Sequence, residues 1–396
     1  MDAEDIENSD EEKKKQQELN LKLLQAIKNE DTILVNQLIQ EGADIWYRGD
    51  QEISLLHIAS EIGNLDIVKL LLKNGLAWNI IDLNEVTAGE YAKRNNHEEV
   101  YDYLLEEGCR AELILGLLEE RNNDDDNDGG GGGDDDDFLS RPLKYSEDGK
   151  KLLDSENNGV MMGWEQLLME KHAEILCLRE NIIENNETNE INETNEINEI
   201  NETNEINETN ELNILNIGFG LGLIDSAIQK YKPTLHTIIE AHPDVYKFMI
   251  EQGWDKKPGV KIIFGKWQEV LNNDNQLLEE GEVEQLLYDG IFFDTFGEYY
   301  KDLKEFNDEV VINYLKPNGI YSFFNGLGAT NSFFHDVYCK IVEMHLAELG
   351  LEINFIEIPL DKIFGDEKEC EKIWEGVKRR YWNLNVYRLP ICKFMI

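Results

Sequence analysis

The sequence predicts an α/β protein: an open, mostly parallel sheet with an antiparallel C-terminal edge, covered by helices and preceded by a small all-α unit. Three observations predict it. From Leu212 onward, short apolar runs alternate with segments of helical length. The stretch NILNIGFGLGLIDSAI, from Asn213 to Ile228, reads as a strand, a glycine turn and a helix. In the first third, Gly42, Gly75 and Gly108 recur every 33 residues, each after a Leu-rich helical segment. The 396 residues leave room for two or three domains and a sizeable core, and an apolar content of 41% suits a globular chain.

Residues 1–17, MDAEDIENSDEEKKKQQ, form an acidic, polar tail without a signal-peptide core. Residues 18–118 carry the repeat. The phrase SLLHIA, Ser54 to Ala59, stands 33 residues before TAGEYA, Thr87 to Ala92. This phrase and this period resemble ankyrin repeats, with the second unit the best match. About three such units are near the smallest stack that can bury its own faces. His57 lies where a histidine of such a repeat bonds the repeat's own turns, so the expectation for it is structural rather than catalytic. Residues 119–137 include NNDDDNDGGGGGDDDD, a glycine core between like charges with nothing to bury, and read as a disordered linker.

Residues 138–396 form the second domain. A helix is expected from Trp164 to Leu178. Residues 183–211 then cycle through Asn-Glu-Thr/Ile, a period of three that fits neither a helix face nor a strand, and they read as a surface insertion. Strands are expected at 213–217, 235–240, 260–264, 289–294 and 319–324, and a long helix near 331–349. A terminal pair at 352–358 and 381–388 supplies the antiparallel edge.

The net charge is −45. The Asp run from Asp124 to Asp137 and the periodic Glu residues from Glu184 to Glu211 hold eighteen of the acids, and without them the charge is still −27. Nucleic acid is excluded as a partner, because phosphate binding needs a basic face. Two readings of the acidity compete: attraction of a basic protein or peptide, and simple solubility. Five scattered cysteines without a CxxC pair read as reduced thiols rather than a disulfide or zinc framework. No apolar run approaches the ~20 residues that a bilayer needs, so no membrane is expected. The chain fits the cytoplasm, the nucleus or both.

The glycine turn points to a ligand at the carboxyl end of the first strand. It reads Gly218-x-Gly220-x-Gly222, and Leu223 occupies the place of the third glycine of a dinucleotide fingerprint. No Lys-Ser/Thr follows, which removes a phosphate loop. Glu240 ends the second strand, twenty residues after Gly220, where a carboxylate can accept both hydroxyls of a ribose. That combination suits an adenosine ligand without a diphosphate, S-adenosylmethionine. The competing reading is a turn that only lets helix and strand pack closely. Trp267 and Gln268 follow the third strand, where an aromatic can flank an adenine and an amide can bond it. Asp294 ends the fourth, beside the place of a donor sulfonium.

The segments VMMGWE, NIGFGLGLID, HTIIEAHPDV, GKWQ, DGIFFDTFGEYY and LKPNGIYSFFNGLGA closely resemble the type IV protein arginine methyltransferases, from about Leu143 to the C-terminus. The same motifs, more loosely, look like guanidinoacetate methyltransferase. The resemblance implies a class I S-adenosylmethionine-dependent methyltransferase fold, Rossmann-like, behind ankyrin repeats, and methylation of the internal δ-nitrogen of arginine. It implies that Phe219, Gly220, Leu221, Gly222, Leu223 and Ile224 wrap the donor's methionine part. Glu240, Ala241 and His242 would lie at the ribose, Trp267 and Gln268 at the adenine, and Tyr145, Met161 and Met169 would close the donor site. Glu165 and Asp294 would hold the guanidinium. The implied partner is a basic protein, ribosomal proteins among the relatives' substrates, with the ankyrin unit as a docking surface and the enzyme a monomer that needs no metal. The long tract at 183–211 departs from the family's short connection. A small-molecule guanidino methyltransferase and a non-catalytic interaction protein stand as the other readings; intact Glu165, Glu240 and Asp294 speak against the last.

Overall fold

The computed structural model describes residues 3–125, 135–178, 211–271, 286–295, 300–365 and 367–395. The chain forms two compact units, one of residues 1–127 with 328–341, the other of residues 128–327 with 342–396.

The first unit is built from helices Ala3–Lys28, Thr32–Gln40, Leu55–Ile62, Leu65–Lys73, Ala88–Arg94 and Glu98–Asp125. Each inner helix starts on a side chain that takes an orphan amide: Asp31 accepts from Leu34, Ser54 from His57, Asn64 from Ile67 and Thr87 from Glu90. His57 is fully buried. Its Nε2 lies 3.0 Å from the Val86 carbonyl, which can only accept, so Nε2 carries the proton and Nδ1 accepts from the Ser54 amide at 3.2 Å. The ring thus has the structural role that the sequence reading expected, bonding its own turn, and it also ties that turn to the next repeat; burial lowers its pKa. Gly42 and Gly75 follow their helices with positive φ, but Gly108 does not end one. It lies within Glu98–Asp125, where a Cβ would meet Val337 at 2.9 Å and Trp78 at 3.0 Å. Its place in the period reflects close packing rather than a turn. Helix also occupies three stretches read otherwise: Ala3 onward in the tail, and up to Asp125 and again from Asp135 in the linker; good helix formers such as Leu and Glu precede the Asp run.

The second unit opens with a short helix, Asp135–Ser140, followed by a small antiparallel sheet, β1 (Lys144–Tyr145), β2 (Lys151–Leu153) and β3 (Gly159–Met162). The turn Gly163–Glu165 and the helix Gln166–Leu178 follow. The main sheet contains β4 (Asn213–Ile217), β5 (Leu235–Glu240), β6 (Val260–Phe264), β7 (Tyr288–Phe293), β8 (Leu315–Phe323), β9 (Leu351–Pro359) and β10 (Val386–Phe394). Its order is β6-β5-β4-β7-β8-β10-β9, with β4 to β8 parallel and β10 antiparallel to both neighbours. This is the predicted α/β class. Central strands β4 and β7 are buried along their whole length, which explains their unbroken apolar runs. The long helix runs from Ser332 to Glu348.

The last strand differs from expectation: it is 386–394, not 381–388. Nine residues pair with β9, from Val386 against Pro359 to Phe394 against Leu351. Tyr381 and Trp382 precede it as packed aromatics; the Trp382 indole donates to the Leu384 carbonyl at 2.8 Å instead of joining a ladder. The small sheet has no counterpart in the sequence reading, because strands of two to four residues show no readable period. Residues 183–210 of the proposed insertion lie outside the described residues.

Candidate active site

The sheet order reverses between β4 and β7, the place where open α/β sheets hold ligands beyond their strand ends. Four strand ends meet there: Gly218 after β4, Glu240 ending β5, Gly265 after β6 and Asp294 after β7. Together with Phe138, Leu139, Met161, Glu165, Phe324 and Tyr381 they line one cavity of about 220 Å³.

The turn after β4 needs its glycines. Gly218 has φ +89°, and a Cβ there would sit 1.9 Å from the Asp294 carbonyl oxygen; one on Gly220 would sit 2.5 Å from Met161 Sδ. Close packing is therefore real, and its partners are themselves candidate site residues. The turn is tied on every side. The Gly218 amide donates to the Ile239 carbonyl at 2.9 Å. The Tyr145 hydroxyl donates to the Gly220 carbonyl at 2.9 Å, and its ring stacks on Phe248 at 3.9 Å. The Leu221 amide points at Met161 Sδ, 3.1 Å away. Beneath it, buried Asn216 on β4 donates to the Gly218 carbonyl at 2.7 Å and to Asp225 at 2.8 Å, which accounts for a polar residue in the central strand.

Glu240 is buried, with Oε2 accepting the Phe219 amide at 2.8 Å and Oε1 the His242 amide at 2.7 Å. The Ala241 amide is a third backbone donor to this carboxylate. Burial raises its pKa, opposed by these amides. Ala241 and His242 also line the cavity. The His242 ring is fully engaged: Nδ1 accepts from the Asp244 amide at 3.1 Å and Nε2 lies 3.0 Å from the Arg141 carbonyl. Trp267 and Gln268 line the cavity from the next strand end, the Trp267 ring held edge-on against Phe306 at 5.2 Å.

Glu165 is 2% exposed, in the short turn that leads from β3 into the helix Gln166–Leu178. Its Oε1 accepts the Met162 amide at 2.8 Å and, in a short bond, the Tyr381 hydroxyl. Burial pushes its carboxyl up to about 7, against the pull of those two donors. Asp294 is half-buried, and its pKa stands well above the ordinary aspartate value. Burial is the main cause, followed by the negative charges of Glu165, Asp225 and Glu240. The cavity therefore gathers carboxylates that repel one another, an arrangement that cations relieve.

The cavity brings together Met161, Glu165, Phe219, Gly220, Glu240, Ala241, His242, Trp267, Gln268 and Asp294. Tyr145 and Leu221 contact that group through the turn. Gly222, Leu223 and Ile224 stand behind it, at the start of the helix Leu223–Gln229, and Met169 is fully buried in the helix Gln166–Leu178. None of these four lines the cavity. The sequence reading missed Tyr381, which lay inside a supposed strand, along with Phe138 and Leu139, which follow the Asp run. An aromatic pair just ahead of the last apolar run was the available signal for Tyr381.

The Glu165 carboxyl makes stability depend on pH. Its folded-state value, about 7, exceeds the ordinary 4.5, so its stabilising contribution is complete below 4.5 and lost as pH rises through 7. Relative to Glu165→Gln, the ligand-free protein should lose on the order of 2 kcal/mol between about pH 5.5 and about pH 8 in chemical denaturation. Parallel curves for the two proteins would remove this assignment.

Residues 23–114 match ankyrin repeats in three copies. Residues 188–353 match guanidinoacetate N-methyltransferase. A protein of Cryptococcus neoformans named protein arginine N-methyltransferase 2 is 33% identical over 386 residues, covering 96% of each chain. The Saccharomyces cerevisiae protein of that name is 36% identical, over 83% of this chain and 78% of its own. The one from Emericella nidulans is 34% identical, over 83% and 77%. About a third of the positions are shared over 83% or more of this chain and 77% or more of each of these relatives, and the chain belongs to the family of proteins named protein arginine N-methyltransferase 2.

Proposed function

We propose that this protein transfers a methyl group from S-adenosylmethionine to the internal δ-nitrogen of an arginine in a basic protein. The observation that carries the reading is the meeting of Glu165, Glu240 and Asp294 in one cavity beyond the reversal of the sheet. The cofactor fits these residues. Gly218, Gly220 and Glu240 stand together on the cavity wall, where a carboxylate can accept from a ribose hydroxyl, and the acidic wall suits a sulfonium. When bound, S-adenosylmethionine supplies an electrophilic methyl group. Glu240 would hold the ribose hydroxyls, and Trp267 with Gln268 the adenine.

The chain's own carboxylates do the rest. A guanidinium is always protonated and its nitrogens are poor nucleophiles, because their lone pairs are delocalised. Glu165 and Asp294 bond the planar fork, draw its positive charge to the outer nitrogens and orient the δ-nitrogen. Either carboxylate can take the proton that leaves as the new C–N bond forms. Orientation should supply much of the rate.

A basic substrate, with ribosomal proteins as candidates, suits a chain of net charge −45. The ankyrin unit would serve as its docking surface, and the enzyme would act as a monomer in the cytoplasm and nucleus. A second reading has one observation in its favour: the match to guanidinoacetate N-methyltransferase covers residues 188–353. It predicts a small guanidino compound as acceptor. Radiolabelled S-adenosylmethionine in a cell extract separates the two. Protein bands take the label under the first reading and only small molecules under the second. Mass spectrometry of the labelled band should then find the methyl group on the δ-nitrogen, and a methyl on a terminal nitrogen would refute that placement.

A further inference from the structure

Glu165 carries an asymmetry that the proposed reaction does not use. Both of its described hydrogen bonds fall on the same oxygen: Oε1 accepts from the Met162 amide on its own turn and from the Tyr381 hydroxyl, 216 residues further along the chain. The lone pairs of Oε2 are left for a ligand. Tyr381 is itself firmly seated. A Cβ on Gly159 of β3 would lie 3.0 Å from its ring, and Trp374 meets that ring edge-on at 5.1 Å. The segment that bears it is latched to the β2–β3 hairpin, where the Lys378 amide donates to the Asn157 carbonyl at 2.9 Å and Lys151 Nζ to the Glu375 carbonyl at 2.5 Å.

We propose that Tyr381 is a positioning residue: its hydroxyl, with the Met162 amide, clamps Oε1 of Glu165 so that Oε2 faces the guanidinium. This rests on the reading of Glu165 as a guanidinium ligand. The clamp also favours the charged carboxylate, since Tyr381 and Met162 are the groups that oppose the effect of burial on Glu165. Burial and the Glu165 charge raise the Tyr381 pKa, so its hydroxyl stays protonated and remains a donor. A tyrosine that only filled space would contribute its ring and nothing to the ionisation of Glu165.

The test is Tyr381→Phe in the full chain, which keeps the ring and removes the hydroxyl. The probes are S-adenosylmethionine for binding and labelled-methyl transfer to extract protein for rate. Donor affinity should stay within about threefold, while transfer at neutral pH falls by roughly 10- to 100-fold. The acid limb of the pH–rate profile should move to higher pH, so that part of the loss returns in alkaline buffer. An acid limb at the wild-type position would overturn the proposal. Gly159→Ala gives a second approach, since it leaves the hydroxyl but crowds the ring. It should move the limb in the same direction by less, and an unmoved limb counts against the clamp even if the phenylalanine variant fails to fold. The functional reading fails in a different way: Glu165→Gln would then retain transfer, or the wild-type chain would not bind S-adenosylmethionine.

Discussion

Replacing Asp294 with asparagine should lower methyl transfer by at least about 10³-fold, a loss of about 4 kcal/mol in transition-state stabilisation. The change preserves shape and removes charge. Asp294 sits where the charges of Glu165 and Glu240 act on it directly, so its ionised form exists to meet cations. An amide in its place cannot neutralise a guanidinium, and its NH₂ turns two donors towards a group that is itself all donors. Donor binding should hold within about an order of magnitude, since Glu240 and the glycine turn are untouched. Binding isotherms and initial rates on the same preparation separate the two effects. Normal turnover by the variant would show that the guanidinium is held elsewhere.

Gly218→Ala should be the most damaging single change to the donor site. Its new methyl carbon would lie 1.9 Å from the Asp294 carbonyl oxygen, a backbone atom fixed by the Asp294 amide's own bond to the Ile217 carbonyl at 3.0 Å. The residue also holds φ +89°, which an L side chain resists. The neighbour cannot move aside, so β4 and β7 must separate at their carboxyl ends. We expect a stability loss above about 3 kcal/mol and donor affinity reduced more than about 100-fold. Gly149→Ala is the control, since that glycine has φ +69° with nothing within 4 Å of its missing Cβ. It should cost only about 1–2 kcal/mol of backbone strain. Equal effects of the two substitutions in denaturation would mean that the contact with Asp294 does not govern the turn.

How far the sequence could be read follows from which interactions are local. Strands β4, β5 and β6 coincide with their expected ranges: β4 and β5 are almost wholly buried, so each is an apolar run that stops at a glycine or an acid, while β6, half-buried at the sheet edge, ends at a glycine. Glu240 and Asp294 were readable for the same reason: each is the first charge after such a run. His57 was readable because its partners lie in its own turn and in the corresponding turn of the next repeat. Tyr381 was not, because its partner Glu165 is brought to it by the fold alone, and an aromatic pair just ahead of an apolar segment imitates a strand. Gly108 misled in the opposite sense. The spacing that marks Gly42 and Gly75 as helix ends also includes it, but its missing side chain serves close packing against Val337 and Trp78.

The central claim is that the acidic cavity is built for cations, first of all a sulfonium. It is tested most directly by titrating the protein with S-adenosylmethionine in two buffers of different ionisation enthalpy, and then with the demethylated product, whose sulfur is uncharged. Glu165 and Asp294 both hold raised pKa values in the ligand-free cavity, so a bound positive charge should drive protons off them. We predict that S-adenosylmethionine binds with proton release, and more tightly as pH rises from about 6 to about 8, while the uncharged product releases fewer protons. Equal proton release by the two ligands, or no binding of S-adenosylmethionine to the folded chain, would contradict the account.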